Sequence, residues 1–153
     1  MSALEQMYQE IILEASKERH GEGLLDSPDG ESFQVNTTCG DQVTMQVKLA
    51  DDGVHFETVG WDGSGCSISQ ASISILNEMV EGKTVDEFEH LYETFRAMMD
   101  KQGAEISAEE ADLLEDASAF QGVSKFPMRI KCALLGWMAL RDATDKALKA
   151  KEN

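Results

Sequence analysis

Val43-Thr44-Met45-Gln46-Val47-Lys48-Leu49-Ala50-Asp51-Asp52-Gly53-Val54-His55-Phe56-Glu57-Thr58-Val59 alternates apolar with polar residues on either side of a short turn-forming break. A period of two places Val43, Met45, Val47 and Leu49 on one face of a strand, and Ala50-Asp51-Asp52-Gly53 turns the chain before the next run. Phe33 and Val35 begin the same alternation upstream. The three runs predict a small three-stranded antiparallel sheet, with Thr38-Cys39-Gly40-Asp41 in the connection between its first two strands. Gly40 can take a positive φ there and let the Cys39 thiol and the Asp41 carboxylate converge.

Helical periodicity takes over on both sides of the sheet. Leu4, Met7, Tyr8, Ile11, Ile12 and Ala15 recur at steps of three and four residues and predict an amphipathic helix over 3–17. Two clusters of turn formers, Gly21-Glu22-Gly23 and Asp26-Ser27-Pro28-Asp29-Gly30, then lead into the first strand. Beyond the sheet, Ile68, Ala71, Ile75 and Met79 mark a helix over 68–80 that Gly82 ends, with Cys66 at its N-terminus. Thr84 with Glu87, and Ser107 with Glu110, form capping boxes that predict helices over 85–99 and 108–119. Pro127 suits the first turn of a last helix through Ala150, which places Cys132 within its first two turns. The expected fold class is α+β, a three-stranded antiparallel sheet with helices packed on one face, in a single domain over 1–153.

A chain of 153 residues that is 42% hydrophobic has enough apolar surface for a packed core. Its 29 acidic against 13 basic residues give a formal net charge of -16. Such a charge repels phosphate backbones and anionic lipid, so neither nucleic acid nor a membrane is an expected partner. The acid is concentrated in Asp86 to Glu93 and Glu105 to Asp116, as two solvated helix faces or a surface for a basic partner protein. No apolar stretch nears the roughly 18 residues that span a bilayer. The first residues carry no basic segment followed by an apolar run, so the expected location is the cytoplasm.

Three cysteines cannot all pair within one chain, and a reducing compartment leaves them free for metal or redox chemistry. They stand in Thr38-Cys39-Gly40-Asp41, Gly63-Ser64-Gly65-Cys66-Ser67 and Phe126-Pro127-Met128-Arg129-Ile130-Lys131-Cys132. A position near a helix start lowers a thiol pKa and favours the thiolate that binds metal or attacks sulfur. The glycines before Cys66 permit close approach of the backbone to a metal or a sulfur species. Three thiolates and the Asp41 carboxylate supply the donors of a tetrahedral site, whose softness favours zinc, or the iron of an assembling cluster, over calcium or magnesium. For each thiol taken singly the plain alternative is a small buried hydrophobe. His20, His55 and His90 are ligands on paper and are expected at the surface.

These three cysteine motifs, with Tyr8-Gln9-Glu10-Ile11-Ile12-Leu13, Ile68-Ser69-Gln70-Ala71-Ser72 and the run Gln121 to Trp137, resemble the U-type iron-sulfur assembly proteins, most closely their SufU branch. Order, spacing and flanking residues match together over nearly the whole chain. The resemblance implies a SufU/IscU-like fold with zinc held by Cys39, Asp41, Cys66 and Cys132. It also implies a sulfurtransferase role, with Cys39 accepting persulfide sulfur from a pyridoxal-phosphate cysteine desulfurase of the SufS type after the partner's histidine displaces it from zinc. Downstream Suf cluster assembly proteins would receive the sulfur.

The alternative within the family is an IscU-like scaffold on which a [2Fe-2S] cluster is assembled. Such scaffolds carry a histidine immediately before the last cysteine, where this chain has Lys131, and lack most of the segment between Gly82 and Gln121. A purely structural zinc module is a third reading. After the first helix the branch usually reads Asp-His-Tyr-x-x-Pro, whereas here Glu14-Ala15-Ser16-Lys17-Glu18-Arg19 stands. Arg129 and Lys131 could stabilise a thiolate or persulfide, or form surface ion pairs.

Overall fold

The computed structural model describes residues 2–152. Helix α1 (Ala3–Glu18) precedes strands β1 (Gly30–Asn36), β2 (Asp41–Leu49) and β3 (Phe56–Ser64), followed by helices α2 (Ser67–Val80), α3 (Val85–Asp100), α4 (Ala108–Leu114) and α5 (Pro127–Glu152). The strands form one antiparallel sheet in the order β1-β2-β3. Its register pairs Asn36 with Asp41 across the first turn and Gln42 with Ser64 across the second strand pair. Because a strand turns alternate residues to one face, Val43, Met45, Val47 and Leu49 are all buried in the core. Phe33 and Val35 point the other way and are exposed.

Helix α5 lies across the buried face of β1 and β2 at close range. A Cβ built on Gly30 would stand 2.6 Å from the backbone nitrogen of Ala147, so only glycine lets the strand approach this helix. Trp137 of α5 stacks on Phe95 of α3, with ring centroids 4.2 Å apart, and Phe95 meets Phe120 edge-on. Helix α2 is buried almost along its whole length, including Ser69, Ser72 and Ser74. The Ser72 hydroxyl donates to the Ala133 carbonyl at 2.6 Å and accepts from the Trp137 indole at 3.0 Å. These bonds fix α2 against the segment of α5 that follows Cys132.

Two elements differ from expectation. The helix predicted over 108–119 ends at Leu114, and 3-10 turns run from Glu115 to Lys125 instead. Leu114 is fully buried, and Glu115 takes a φ of 49°, which an α-helix cannot propagate. The tighter turns bury Ala117, Phe120 and Val123 over α3 in a pattern that resembles helical periodicity. The third strand, predicted over 54–59, runs from Phe56 to Ser64, because Gly60 and Gly63 lie where neighbouring backbone crosses closely. Both capping boxes are formed. No helix among the described residues is long and apolar enough to cross a membrane.

Candidate metal centre

The β1–β2 turn, the β3–α2 loop and the second turn of α5 converge at one end of the sheet. Asp41 opens β2 and is fully buried, its Oδ1 accepting the backbone N–H of Cys66 at 2.8 Å. Gly40, just before it, has a φ of 73°, the left-handed conformation that lets the turn close onto β2. Ligand atoms of Cys39, Asp41 and Cys132 all lie within 4.8 Å of one another. The Sγ atoms of Cys39 and Cys132 are 3.2 Å apart. Cys66 adjoins this group through its Sγ, 3.9 Å from Asp41 Oδ2, and is not part of the mutual set of three.

The thiols differ in access. Cys39 and Cys66 are exposed, whereas Cys132 is buried. Burial pushes the Cys132 thiol above its ordinary pKa, and hydrogen bonds with Asp41, Cys39 and Cys66 push the same way. The lowering expected from a helix start is therefore reversed at Cys132. This residue lies beyond the first turn of α5, where desolvation and a neighbouring carboxylate outweigh the dipole.

The glycines before Cys66 also serve the packing of the site. A Cβ on Gly65 would clash with the Asp41 carboxylate and stand 2.8 Å from Ser69 Oγ, while one on Gly63 would stand 3.1 Å from Val43 Cα. They make room for Asp41 and for β2. Gly65→Ala is therefore expected to displace Asp41 from the cluster and to weaken zinc binding by about 10–100-fold. Chelator competition measures this, and an unchanged affinity would show that Asp41 has other room to move.

Asn36 is a site residue that the sequence reading missed. Its amide nitrogen donates to Cys132 Sγ at 3.8 Å, its side-chain oxygen accepts the Thr38 N–H at 3.2 Å, and its carbonyl accepts the Gly40 N–H at 2.9 Å. It thus shapes the Cys39 turn and holds it over Cys132. The available signal was an asparagine at the end of a strand, where its side chain readily caps the following turn. The histidines stand apart from the cluster, with His20 against Glu81, His55 against Asp52 and His90 on the exposed face of α3. Arg129 lies over the Phe126 ring, 5.3 Å from its centroid, and Lys131 is exposed.

The donor set fits a thiophilic divalent cation. A buried carboxylate needs a compensating positive charge, and among the described residues Asp41 has no ion pair with lysine, arginine or histidine. Its neighbours are instead thiols, which become strong ligands once deprotonated.

Fold and site together define a small α+β protein that gathers thiols and a buried carboxylate at one end of a three-stranded antiparallel sheet. The family model of the NifU-like N-terminal domain matches residues 7–144, and the chain belongs to that family. It is 38% identical over 146 residues to the zinc-dependent sulfurtransferase SufU of Bacillus subtilis (strain 168), covering 94% of this chain and 92% of that protein. It is also 37% identical over 152 residues to the iron-sulfur cluster assembly scaffold protein IscU of Streptococcus pyogenes serotype M1, covering 99% of this chain and 91% of that one. Among solved structures, the N-terminal part of a NifU-like protein from Brucella abortus is similar, with a TM-score of 0.79 at 26% identity, covering 97% of this chain and 99% of that one.

Proposed function

We propose that the chain acts in iron-sulfur cluster assembly as a zinc-dependent sulfur acceptor, with Cys39 as its nucleophile and Cys39, Asp41, Cys66 and Cys132 as zinc ligands. The observation that carries this reading is an exposed thiol, Cys39, held 3.2 Å from the buried Cys132 and grouped with the buried Asp41. Likeness to a relative named a zinc-dependent sulfurtransferase supports it. Zinc held by this set supplies the positive charge that keeps the thiols deprotonated at neutral pH.

The rest of the chemistry belongs to the chain. Cys39, on a turn open to solvent, can meet a sulfur carried by a partner, whereas Cys132 is walled in. The partner is a pyridoxal-phosphate cysteine desulfurase of the SufS type carrying a persulfide. The Cys39 thiolate attacks the outer sulfur of that persulfide, a new S–S bond forms at Cys39, and the partner's S–S bond breaks. The electron pair leaves on the partner's sulfur as a thiolate, so sulfur is transferred with no net oxidation. Asp41, Cys66 and Cys132 hold the site together while Cys39 carries the sulfur.

A second reading, a scaffold on which a [2Fe-2S] cluster is built, is favoured by the comparable identity to a relative named as a scaffold. Zinc titration against a chromophoric chelator separates the two. One tightly held zinc ion per chain is expected, with little visible chromophore after treatment with iron and sulfide. A chain that refuses zinc and develops a stable cluster absorption would overturn the acceptor reading in favour of the scaffold.

A further inference from the structure

Arg19 lies outside the metal-ligand set, yet its side chain reaches both flanks of the loop that carries Cys66. It caps α1 in the left-handed conformation, with a φ of 48°, a position where glycine is commoner. From there its guanidinium packs over the Trp61 ring, 4.7 Å from the centroid. Its Nη2 donates to the Gly63 carbonyl at 3.0 Å, near the end of β3, and its Nη1 donates to the side-chain oxygen of Gln70 in the first turn of α2. Glu22 accepts from the Nε of the same group at 2.7 Å and fixes its plane.

The bond to Gln70 continues inward. The Gln70 amide donates to Ser69 Oγ at 3.4 Å, and Ser69 Oγ donates to the Cys66 carbonyl at 3.0 Å. Both side chains are buried, Ser69 at 0% and Gln70 at 5% exposure. Meanwhile the Cys66 N–H is committed to Asp41. The peptide groups on both sides of Cys66 are thus held, the N–H by Asp41 and the carbonyl by the Gln70 backbone N–H at 3.1 Å and by Ser69 Oγ, which the Gln70 side chain links to Arg19. A planar guanidinium with several fixed donors can tie Gly63, Gln70 and Glu22 at once, which a lysine ammonium on a flexible stem does less well.

We infer that Arg19 is a positioning residue for Cys66: by clamping both flanks of the β3–α2 loop it sets where that thiol stands relative to Asp41. The inference rests on the proposed role of Cys66 as a ligand, and its test separates the two.

In metal-free full-length protein, amide hydrogen exchange is followed at Cys66 and at Met45 in the core of β2. For Arg19→Gln, exchange at Cys66 is expected to rise roughly 10-fold or more, the range for loss of a charged hydrogen bond, with Met45 unchanged. Arg19→Lys should fall between wild type and Arg19→Gln. An unchanged rate at Cys66, or equal acceleration at Cys66 and Met45, would overturn the clamp. Zinc affinity is then measured by chelator competition, where loss of such outer support weakens binding by about 10–100-fold. In a Cys66→Ser background Arg19→Gln should add little further loss, and an undiminished loss there would show that Arg19 does not act through Cys66. A wild-type chain that binds no zinc would sink the proposed function, and the exchange result would still decide the role of Arg19.

Discussion

Cys39→Ser abolishes stimulation of a SufS-type desulfurase. In a mixture of desulfurase, cysteine, reductant and zinc-loaded chain, alanine production should fall to the rate of the desulfurase alone. A hydroxyl at this position keeps the size of the side chain and stays protonated at neutral pH, so it offers no nucleophile to a persulfide sulfur. The remaining thiols differ in access. Cys132 is 2% exposed and lies behind Cys39, whereas Cys66 is exposed, so Cys66→Ser is the control that should keep a nucleophile at Cys39. Because Cys39 is exposed on a turn, the variant should keep the fold, which circular dichroism and the unfolding midpoint check independently. Retained stimulation in a well-folded variant would leave Cys39 without the acceptor role.

The second large effect is an inversion of stability at Asp41. In the metal-free chain this carboxylate is fully buried with no ion pair to lysine, arginine or histidine among the described residues, its Oδ1 accepting the Cys66 N–H at 2.8 Å and its Oδ2 standing 3.9 Å from the Cys66 thiol. Asp41→Asn keeps an oxygen to accept the Cys66 N–H and removes the charge. With chelator present the variant should be more stable than wild type by about 1–3 kcal/mol, the order of a relieved buried polar group. With zinc at a thousandfold over its dissociation constant the wild type gains about 4 kcal/mol by mass action. The variant, having lost an anionic donor, should gain far less, and the order of stabilities reverses. Urea unfolding of both proteins with chelator and with zinc gives the four midpoints. The same order under both conditions would show that Asp41 does not hold the metal.

Much of this was legible in the chain because local rules and the global fold agree. The alternation through Val43, Met45, Val47 and Leu49 reads as a half-buried strand, and all four residues are in the core. The capping boxes at Thr84 and Ser107 mark their helix starts because each satisfies backbone donors locally. The end of α4 was not legible, since a run of 3-10 turns buries residues at spacings that mimic an α-helix and Glu115 carries no sequence sign of its positive φ. At the site, the convergence of Cys39 and Asp41 was legible in the turn that Gly40 permits, whereas bringing Cys132 to them was an implication of the resemblance. The supports were not legible. Asn36 and Arg19 act through contacts with residues far along the chain, and the crowding of Gly65 against Asp41 exists only once β2 and the β3–α2 loop are adjacent.

The most direct test of the account is to locate the transferred sulfur. The zinc-loaded chain is given a single turnover with a persulfide-charged desulfurase in the absence of reductant, trapped with an alkylating agent, cleaved and analysed by mass spectrometry. The account predicts one added sulfur atom on the peptide that contains Cys39, with the peptides containing Cys66 and Cys132 unmodified. Sulfur found first on Cys66 or Cys132, or on none of the three, would contradict it.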